Sequence, residues 1–286
     1  MKISDILNRN ERLLSFEVFP PKTDAAFDSI KEATEKIASL SPAFMSVTYG
    51  AGGGTSRYTL EIAKNIEERY SVPTLAHLTC VSSTRETVRA RIAEMRSMGI
   101  ENVMALRGDI PAEMQGTDRS TWHYRHAVEL VRELSDAGDF CIGGACYPEM
   151  HPESKSREED ISYLKEKADA GCSFLTTQMF FDNSLFYSFL ERAKAAGIDI
   201  PIIPGVMPIT SKNQVERIIF LSGSHLPKEL LSLIEKYGDD AISMRNAGVE
   251  YATEQIEDMY KNGVNYAHVY SMNKPEVAEA IKKNLF

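Results

Sequence analysis

Residues 99–109 read Gly-Ile-Glu-Asn-Val-Met-Ala-Leu-Arg-Gly-Asp: a glycine, an apolar run, and then two opposite charges around a second glycine. A glycine just past the last turn provides the left-handed backbone that commonly ends a helix. The apolar run does not alternate with polar residues, which is typical of a strand buried on both faces. This stretch therefore indicates a helix that ends at Gly99 and a buried strand that ends at Arg107.

The same order of helix, glycine and apolar run recurs along the chain. Runs of this kind occupy 101–106, 140–147, 173–180, 200–205 and 265–271, and the earlier runs 13–19, 43–49 and 73–79 fit the same role. Eight strands that alternate with helices form right-handed βαβ units and a parallel sheet. We therefore predict a (β/α)8 TIM barrel in a single domain, 1–286. An open doubly wound sheet is the disfavoured alternative.

The helices between the runs show their own signals. Val88, Ile92 and Met95 recur at helical spacing, and Ser83-x-x-Glu86 and Ser156-x-x-Glu159 predict capping boxes. Two extra helical stretches, at roughly 226–237 and 240–262, precede the last strand.

Composition excludes several classes of protein. The 286 residues are 43% hydrophobic, which supports a sizeable core, and the net charge of −9 disfavours nucleic acid as a partner. No run of about 18 apolar residues predicts a membrane span, and no signal-peptide core precedes the first strand. Four scattered cysteines do not make a disulfide framework. We expect a soluble, cytoplasmic protein.

Active sites of such barrels lie at the carboxyl ends of the strands. In this sequence those ends carry polar side chains at Glu17, Thr48, Tyr49, His77, Thr79, Arg107, Asp109, Tyr147, Gln178 and 270–274. Each alone has an ordinary structural explanation: a solvated strand end, a hydrogen-bonded core histidine or amide, or aromatic packing. Their convergence on one mouth favours a functional site. Glu17 has apolar neighbours, so burial would raise its pKa toward that of a proton donor.

Other chemistries lack their motifs. Residues 50–55 follow a strand, but Thr55 replaces the third glycine of a dinucleotide fingerprint. Cys141 and Cys146 point to opposite faces of one strand, and His123 and His126 have no third ligand nearby, so we predict no metal site. The strand cores contain no lysine, which disfavours an imine-forming aldolase.

Seven sequence blocks follow the predicted strands in order: Phe16-Glu17-Val18-Phe19-Pro20-Pro21-Lys22, Ser46-Val47-Thr48-Tyr49-Gly50, Ala76-His77-Leu78-Thr79-Cys80, Ala105-Leu106-Arg107-Gly108-Asp109, Tyr147-Pro148-Glu149-x-His151-Pro152-Glu153, Thr177-Gln178-x-Phe180-Phe181-Asp182 and Ile203-Pro204-Gly205-Val206-Met207-Pro208. Together these blocks resemble the catalytic domain of bacterial methylenetetrahydrofolate reductase. The resemblance extends from about residue 13 to 280. It implies a flavoprotein barrel that binds FAD and reduces 5,10-methylenetetrahydrofolate to 5-methyltetrahydrofolate. NADH or NADPH would supply the hydride through the flavin, with both substrates using one flavin face in turn. It also implies a homo-oligomer.

The resemblance assigns roles residue by residue. Glu17 would be the general acid, and Asp109 would lie between flavin and pterin. Gln178, Gln214 and Lys274, with Asp109, would bind substrate. The flavin would contact Thr48, Tyr49, Ala51, His77, Arg107, Gly108, Asp109, Tyr124, Arg125, His126, Tyr147, His151, Asp160 and Lys167.

This sequence also departs from the family. Lys274 stands where arginine is common, and Ile218 stands where some members have a phenylalanine that packs on the substrates. Electrons could instead come from a partner protein. A flavin-free, pterin-dependent methyltransferase barrel is the alternative from another class. A flavin-free lyase and an inactive binding module are disfavoured.

Overall fold

The computed structural model describes residues 1–9, 11–21, 23–49, 56–110, 114–215, 218 and 223–286. Within these ranges the chain alternates strands with helices, and the strands pair in parallel. The strands are β1 (Leu13–Val18), β2 (Met45–Val47), β3 (Thr74–Thr79), β4 (Asn102–Leu106), β5 (Cys141–Cys146), β6 (Phe174–Thr177), β7 (Ile202–Ile203), β8 (Gly205–Val206) and β9 (Tyr266–Tyr270). Every run that the sequence predicts as a strand contains one.

The sheet closes into a barrel through a broken strand. Its order is β7-β6-β5-β4-β3-β2-β1-β9-β8, so the two ends of the sheet are β7 and β8. Only Pro204 separates them in the chain, and proline has no N–H for a ladder hydrogen bond. Ile203 pairs with β6, whereas Gly205 pairs with β9. β7 and β8 are therefore two halves of one barrel strand, and the predicted (β/α)8 barrel is confirmed.

Among the described residues, helices lie around this barrel and at one of its ends. They are α1 (Ile3–Leu7), α2 (Phe27–Ala38), α3 (Ser56–Tyr70), α4 (Arg85–Ser97), α5 (Ala127–Ala137), α6 (Arg157–Asp169), α7 (Asn183–Ala195), α8 (Lys228–Tyr237), α9 (Ala241–Lys261) and α10 (Pro275–Leu285). α8 and α9 are the two extra helices that the sequence places before the last strand.

Helix ends agree with the sequence signals in most cases. The glycines that separate a helix from the following strand all have positive φ, between 72° and 123°. Ser156 caps α6 by accepting a hydrogen bond from the Glu159 backbone. The predicted Ser83 cap is wrong: the cap of α4 is Thr84, whose hydroxyl accepts from the Thr87 backbone. Adjacent hydroxyl residues at 82–84 give equivalent local signals, so only the backbone geometry separates them.

Two apolar layers fix which end of the barrel is open. The larger one lies between the strands and the surrounding helices. The smaller one joins Ile3, Ile6 and Leu7 of α1 to residues near the starts of the strands, including Leu75 and Phe174. The backbone N–H of Ile3 also donates to Asn102 at the start of β4, at 2.8 Å. α1 therefore plugs the amino-terminal end of the barrel, and the carboxyl ends of the strands remain available for a site.

In the described part of the chain, no helix combines the length and the apolar character needed to cross a membrane.

Candidate active site

A cavity of about 1550 Å³ opens at the carboxyl ends of the strands and extends over α5 and α6. Its volume exceeds the roughly 300–1,000 Å³ of ordinary small-molecule pockets. Most of the residues that the sequence places in the site line this cavity. They are Glu17, Thr48, Tyr49, His77, Arg107, Gly108, Asp109, His126, Tyr147, His151, Asp160, Lys167 and Gln178.

Glu17 is a largely buried acid in the cavity wall. It lies on β1, and 21% of its side chain is exposed. Burial raises the pKa of Glu17 to about 7, although the Ser46 hydroxyl, which donates to Oε2 at 3.3 Å, opposes the rise. The Nε2 atom of His77 lies 3.7 Å from the same oxygen. Burial lowers the pKa of His77 to about 4, so this imidazole is neutral at pH 7 and does not hold Glu17 ionised.

A polar network that sequence reasoning missed lies beneath Glu17. His268 of β9 is buried between two serines, with Nδ1 2.8 Å from the Ser15 hydroxyl and Nε2 3.0 Å from the Ser46 hydroxyl. Burial, assisted by His77, lowers the pKa of His268 to about 3. A signal was available: Ser15 and Glu17 are two residues apart on one strand and share a face. The network fixes the position of Ser46, and through it the environment of Glu17.

Arginines line a second part of the wall. Glu153 accepts hydrogen bonds from Arg107 and, at 3.3 Å, from Arg119. Burial alone would raise the pKa of Glu153, but these two guanidinium groups lower it to about 2. These three side chains line the cavity with a net charge of +1. A positively charged wall is suited to an anionic ligand.

Next to these charges, the rings of Tyr147 and His151 meet edge to face, with centroids 4.7 Å apart. Burial raises the pKa of Tyr147 to about 12, so the phenol keeps its proton. His151 Nδ1 accepts from the Glu153 backbone at 3.1 Å, and its own backbone N–H donates to Asp160. Burial and the charge of Arg107 lower the pKa of His151.

α6 contributes a line of residues at helical spacing. Asp160 accepts from the Ser154 hydroxyl at 2.8 Å. Lys167, two turns further on, is partly buried and donates to the carbonyl of Ala145 on β5. Burial lowers the pKa of Lys167. Residues 160, 163, 164 and 167 all line the cavity, so one face of α6 forms part of its wall.

The end of β4 places a carboxylate at the mouth. Asp109 is exposed and follows Gly108, whose φ is +88°. A Cβ at Gly108 would lie 2.9 Å from Cβ of Thr79, closer than packing allows. Gln178 lines the cavity after β6, and its side-chain oxygen accepts from the Met179 backbone at 3.0 Å. The side-chain NH₂ group of Gln178 can therefore donate hydrogen bonds to a ligand.

Four residues expected in the site do not line the cavity. Tyr124 is buried in the core, with Arg85 over its ring, and Arg125 donates to the Ser120 carbonyl. Lys274 donates to the Thr210 hydroxyl at 2.6 Å, and Gln214 accepts from the same hydroxyl at 3.2 Å. Lys274 and Gln214 thus form a separate cluster around Thr210. Ala51 lies outside the described residues.

In the described part of the chain, no group of three or more His, Cys, Asp or Glu residues is arranged to hold a metal ion. The four cysteines are buried and free, and burial raises the pKa of the Cys80 thiol to about 12 and of the Cys172 thiol to about 11.

The cavity suits a large, anionic, partly aromatic ligand such as FAD. Among the described side chains, two residues that line it carry a buried polar atom without a hydrogen-bond partner: Nε2 of His77 and Oγ1 of Thr176. Such atoms are rare unless a ligand or water pairs with them. Arg107, Arg119 and Lys167, together with the negative charge of Glu153, leave a net charge of +2, which balances the two negative charges of the diphosphate in FAD.

Fold and site together define a barrel enzyme whose active site, at the carboxyl ends of the strands, is built for a nucleotide-sized ligand beside a buried acid. The family model for methylenetetrahydrofolate reductase matches residues 2–286. The chain belongs to the methylenetetrahydrofolate reductase family, and it is an oxidoreductase of folate one-carbon metabolism with methylenetetrahydrofolate reductase activity.

Bacterial and plant relatives agree with this assignment. The chain is 35% identical over 268 residues to 5,10-methylenetetrahydrofolate reductase of Pectobacterium carotovorum, covering 94% of this chain and 88% of that protein. It is 34% identical to the Escherichia coli enzyme over the same shares. Methylenetetrahydrofolate reductase (NADH) 1 of Arabidopsis thaliana is 34% identical, and 99% of this chain matches 50% of that protein.

Solved structures show the same fold at low identity. An uncharacterized protein from Clostridium thermocellum that binds two copies of 5-methyl-5,6,7,8-tetrahydrofolic acid has a TM-score of 0.64 at 17% identity, with 99% of each chain covered. A tryptophan synthase α-subunit from Pyrococcus furiosus has a TM-score of 0.56 at 12% identity, with 96% of this chain and 97% of that chain covered.

Proposed function

We propose that this single barrel domain binds FAD and reduces 5,10-methylenetetrahydrofolate to 5-methyltetrahydrofolate, with Glu17 as the general acid. NADH or NADPH is the hydride donor, and the two substrates occupy one flavin face in turn. The observation that carries the proposal is a glutamic acid in the cavity wall whose pKa burial raises to about 7. At that pKa a large fraction of the carboxyl group is protonated at neutral pH, as proton donation requires.

Different residues of the cavity wall bind different parts of FAD. Arg107, Arg119, His151 and Lys167 provide the positive charge and N–H donors for the diphosphate and ribityl chain. Thr48, Tyr49, His77, Gly108 and Tyr147 line the same cavity as Glu17 and would contact the flavin ring system. Bound FAD supplies the hydride relay between the nicotinamide and the folate.

The chain's own residues handle the proton and the orientation of the folate. The Glu17 carboxyl gives its proton to the folate ring nitrogen whose bond to the methylene carbon breaks, which leaves an iminium carbon ready to accept hydride. Asp109 accepts hydrogen bonds from the pterin, and the Gln178 amide donates a hydrogen bond to the pterin. The Thr210 cluster with Lys274 and Gln214 offers a cation for the carboxylates of the glutamate tail.

Glu17→Gln tests the assignment because it keeps the size of the side chain and removes the acid. We expect retained FAD, retained flavin reduction by NADH under anaerobic conditions, and a loss of about 10²–10⁴-fold in flavin reoxidation by methylenetetrahydrofolate. Stopped-flow absorbance at the flavin band measures both half-reactions. Glu149→Gln is the matched control, since burial also raises the pKa of Glu149, which does not line the cavity. Loss of both half-reactions in a flavin-bound Glu17→Gln protein contradicts the role.

The identity of the hydride donor is tested on the unaltered protein. Flavin absorbance that bleaches on anaerobic titration with NADH supports a nicotinamide donor. A flavin that stays oxidised until another reductant is added moves the donor to a partner protein. Absence of flavin binding after FAD is added favours the flavin-free methyltransferase. A homo-oligomeric state, which the resemblance implies, and a cytoplasmic location, which the composition indicates, stay predictions.

A further inference from the structure

Four hydrogen-bond contacts connect Glu17 to the backbone of β9. Glu17 Oε2 lies 3.3 Å from the Ser46 hydroxyl, which lies 3.0 Å from Nε2 of His268. On the other side of the ring, Nδ1 of His268 lies 2.8 Å from the Ser15 hydroxyl, which lies 3.1 Å from the Ala267 carbonyl oxygen. Ser15, Ser46 and His268 are each at most 2% exposed, so their polar atoms depend on one another for hydrogen bonds. We call these five residues the Glu17 chain.

The imidazole of His268 is held in one orientation. Its ring lies nearly parallel to that of Phe44, at 12° with centroids 5.5 Å apart, and the ring of Tyr270 meets it edge to face at 85°. Each ring nitrogen has a serine hydroxyl within 3.0 Å, so a half-turn of the ring would put carbon atoms in both contacts. What the ring donates and accepts therefore depends only on which nitrogen carries a proton.

The Ala267 end gives the Glu17 chain a direction. A carbonyl oxygen only accepts, so the contact with Ala267 requires the proton of the Ser15 hydroxyl. That hydroxyl then has only lone pairs for His268, and Nδ1 must carry the ring proton. Nε2 of the neutral ring is then an acceptor and takes the proton of Ser46. Ser46 in turn has only a lone pair for Glu17, so Glu17 must be the donor in the last contact.

A count of protons compares the two forms of Glu17. The four contacts need four protons, and the two hydroxyls and the neutral imidazole supply three of them. The fourth is present only when the Glu17 carboxyl group is protonated. With a carboxylate, the proton of Ser46 goes to Glu17, and Nε2 of His268 is left without a donor. Because a buried polar atom without its hydrogen bond is costly, the Glu17 chain favours the acid form.

An imidazolium beside a Glu17 carboxylate would also supply four protons. It would place a positive charge on a ring that is 2% exposed, and burial lowers the pKa of His268 to about 3. The other titratable side chains that approach Glu17 from β2, β3 and β9 are His77 and Tyr270, and both are neutral at pH 7. Burial lowers the pKa of His77 to about 4 and raises that of Tyr270, which pairs in register with Glu17.

We propose that Ser15 fixes His268 as its Nδ1–H tautomer, and that the Glu17 chain holds the proton on Glu17 until a substrate nitrogen competes with Ser46 for it. Ser15 and His268 are positioning residues, because they act on Glu17 through Ser46. The inference deepens the proposed function and rests on it, since Glu17 is the general acid of that reaction.

The tautomer is tested directly on the unaltered protein. Neutron diffraction from crystals of the perdeuterated protein, at a pD of about 6 and so roughly one unit below the pKa of Glu17, locates the protons. We expect deuterium on Nδ1 of His268, none on Nε2, and deuterium on Glu17 directed at Ser46. Deuterium on Nε2 alone overturns the proposal, and deuterium on both ring nitrogens does so as well.

Ser15→Ala tests the effect on Glu17. Without the Ser15 hydroxyl, the ring proton of His268 can lie on Nε2 and point to Ser46, whose own proton then goes to the Glu17 carboxylate. Both forms of Glu17 now make the same number of hydrogen bonds, so we expect its titration midpoint to fall by roughly 0.5–1 pH unit, the equivalent of one hydrogen bond. Infrared titration of the carboxyl C=O band that Glu17→Gln lacks measures this midpoint without any folate reduction.

Thr34→Val is the matched control, because it removes another buried hydroxyl that donates to a backbone carbonyl, on α2. It should leave the midpoint of Glu17 unchanged. An unchanged or raised midpoint in Ser15→Ala overturns the proposal, and if that variant does not fold, the neutron experiment decides alone. Normal folate reduction by Glu17→Gln is a different result, because it refutes the proposed function and leaves the tautomer of His268 as measured.

Discussion

At the scale of the residue, Glu17 links the chemistry of the site to the stability of the fold. The folded protein raises its pKa from 4.5 to about 7 through burial. Between these two values the unfolded chain releases a proton that the folded chain retains, so the free energy of unfolding falls as pH rises. At about 1.4 kcal/mol per pKa unit, the loss is up to about 3 kcal/mol.

This linkage predicts a pH-dependent effect of Glu17→Gln on stability. We expect the variant to match the unaltered protein near pH 4.5 and to become more stable by up to about 3 kcal/mol above pH 7. Denaturant unfolding of the apoprotein at a series of pH values measures the difference. Glu61→Gln, at an exposed position on α3, should show no such trend. A difference that does not change with pH would show that Glu17 ionises normally in the folded state.

The residue scale also shows a limit of sequence reading. Glu17 stands out in the sequence because apolar residues flank it. His268 looks like an interior strand residue, and nothing local marks it as a partner of Ser15 and Ser46. These three residues come from β1, β2 and β9, and only closure of the barrel brings β9 beside β1.

At the scale of the element, α9 approaches the barrel closely at one residue. A Cβ added at Gly248 would lie 1.8 Å from the carbonyl oxygen of Ile209, in the segment that follows β8. That oxygen belongs to the backbone, so neither a rotamer change nor a side-chain shift relieves the contact. The extra helices are therefore fixed to the segment that connects Met207 in the cavity wall with the Thr210 cluster.

Gly248→Ala is expected to lower the free energy of unfolding by about 3 kcal/mol, the upper part of the range for overpacking, although alanine favours helices. The variant should also raise the KM for the folate more than the KM for NADH. The reason is that the displaced segment contains Thr210, whose hydroxyl accepts a hydrogen bond from Lys274. Urea unfolding and steady-state kinetics measure the two effects. Glu250→Ala, two residues further along α9 and exposed, is the control. Equal stability of the two variants would contradict the close packing.

At the scale of the whole molecule, the barrel leaves a large cavity between its strand ends and two of its helices. A ligand that binds only the folded state stabilises it by mass action, by about 2.7 kcal/mol at 100 times its Kd. For a chain of this size we expect FAD at that concentration to raise the Tm of the apoprotein by roughly 5–10 °C.

Thermal unfolding followed by circular dichroism measures this shift. Inorganic pyrophosphate at the same concentration is the control for charge alone, and it should raise the Tm far less. An equal shift with pyrophosphate would mean that the cavity recognises only the anion and would remove the basis for placing the flavin ring beside Glu17.

The sequence by itself determined the order of strands and helices, the two extra helices, and the set of polar residues at the strand ends. These features depend on local periodicity, on glycines past helix ends and on the rule that the active site of such a barrel lies at the carboxyl ends of its strands. The ordered motifs also identified the family.

Only the tertiary structure decided the rest. It showed that Pro204 divides one barrel strand in two, that Tyr124 lies in the core although His126, two residues later, lines the cavity, and that Lys274 and Gln214 meet at Thr210. It also raised the pKa of Glu17 to about 7. The physical reason is common to all of these: burial and contact depend on residues far apart in the chain, and a closed barrel brings them within a few ångströms of one another.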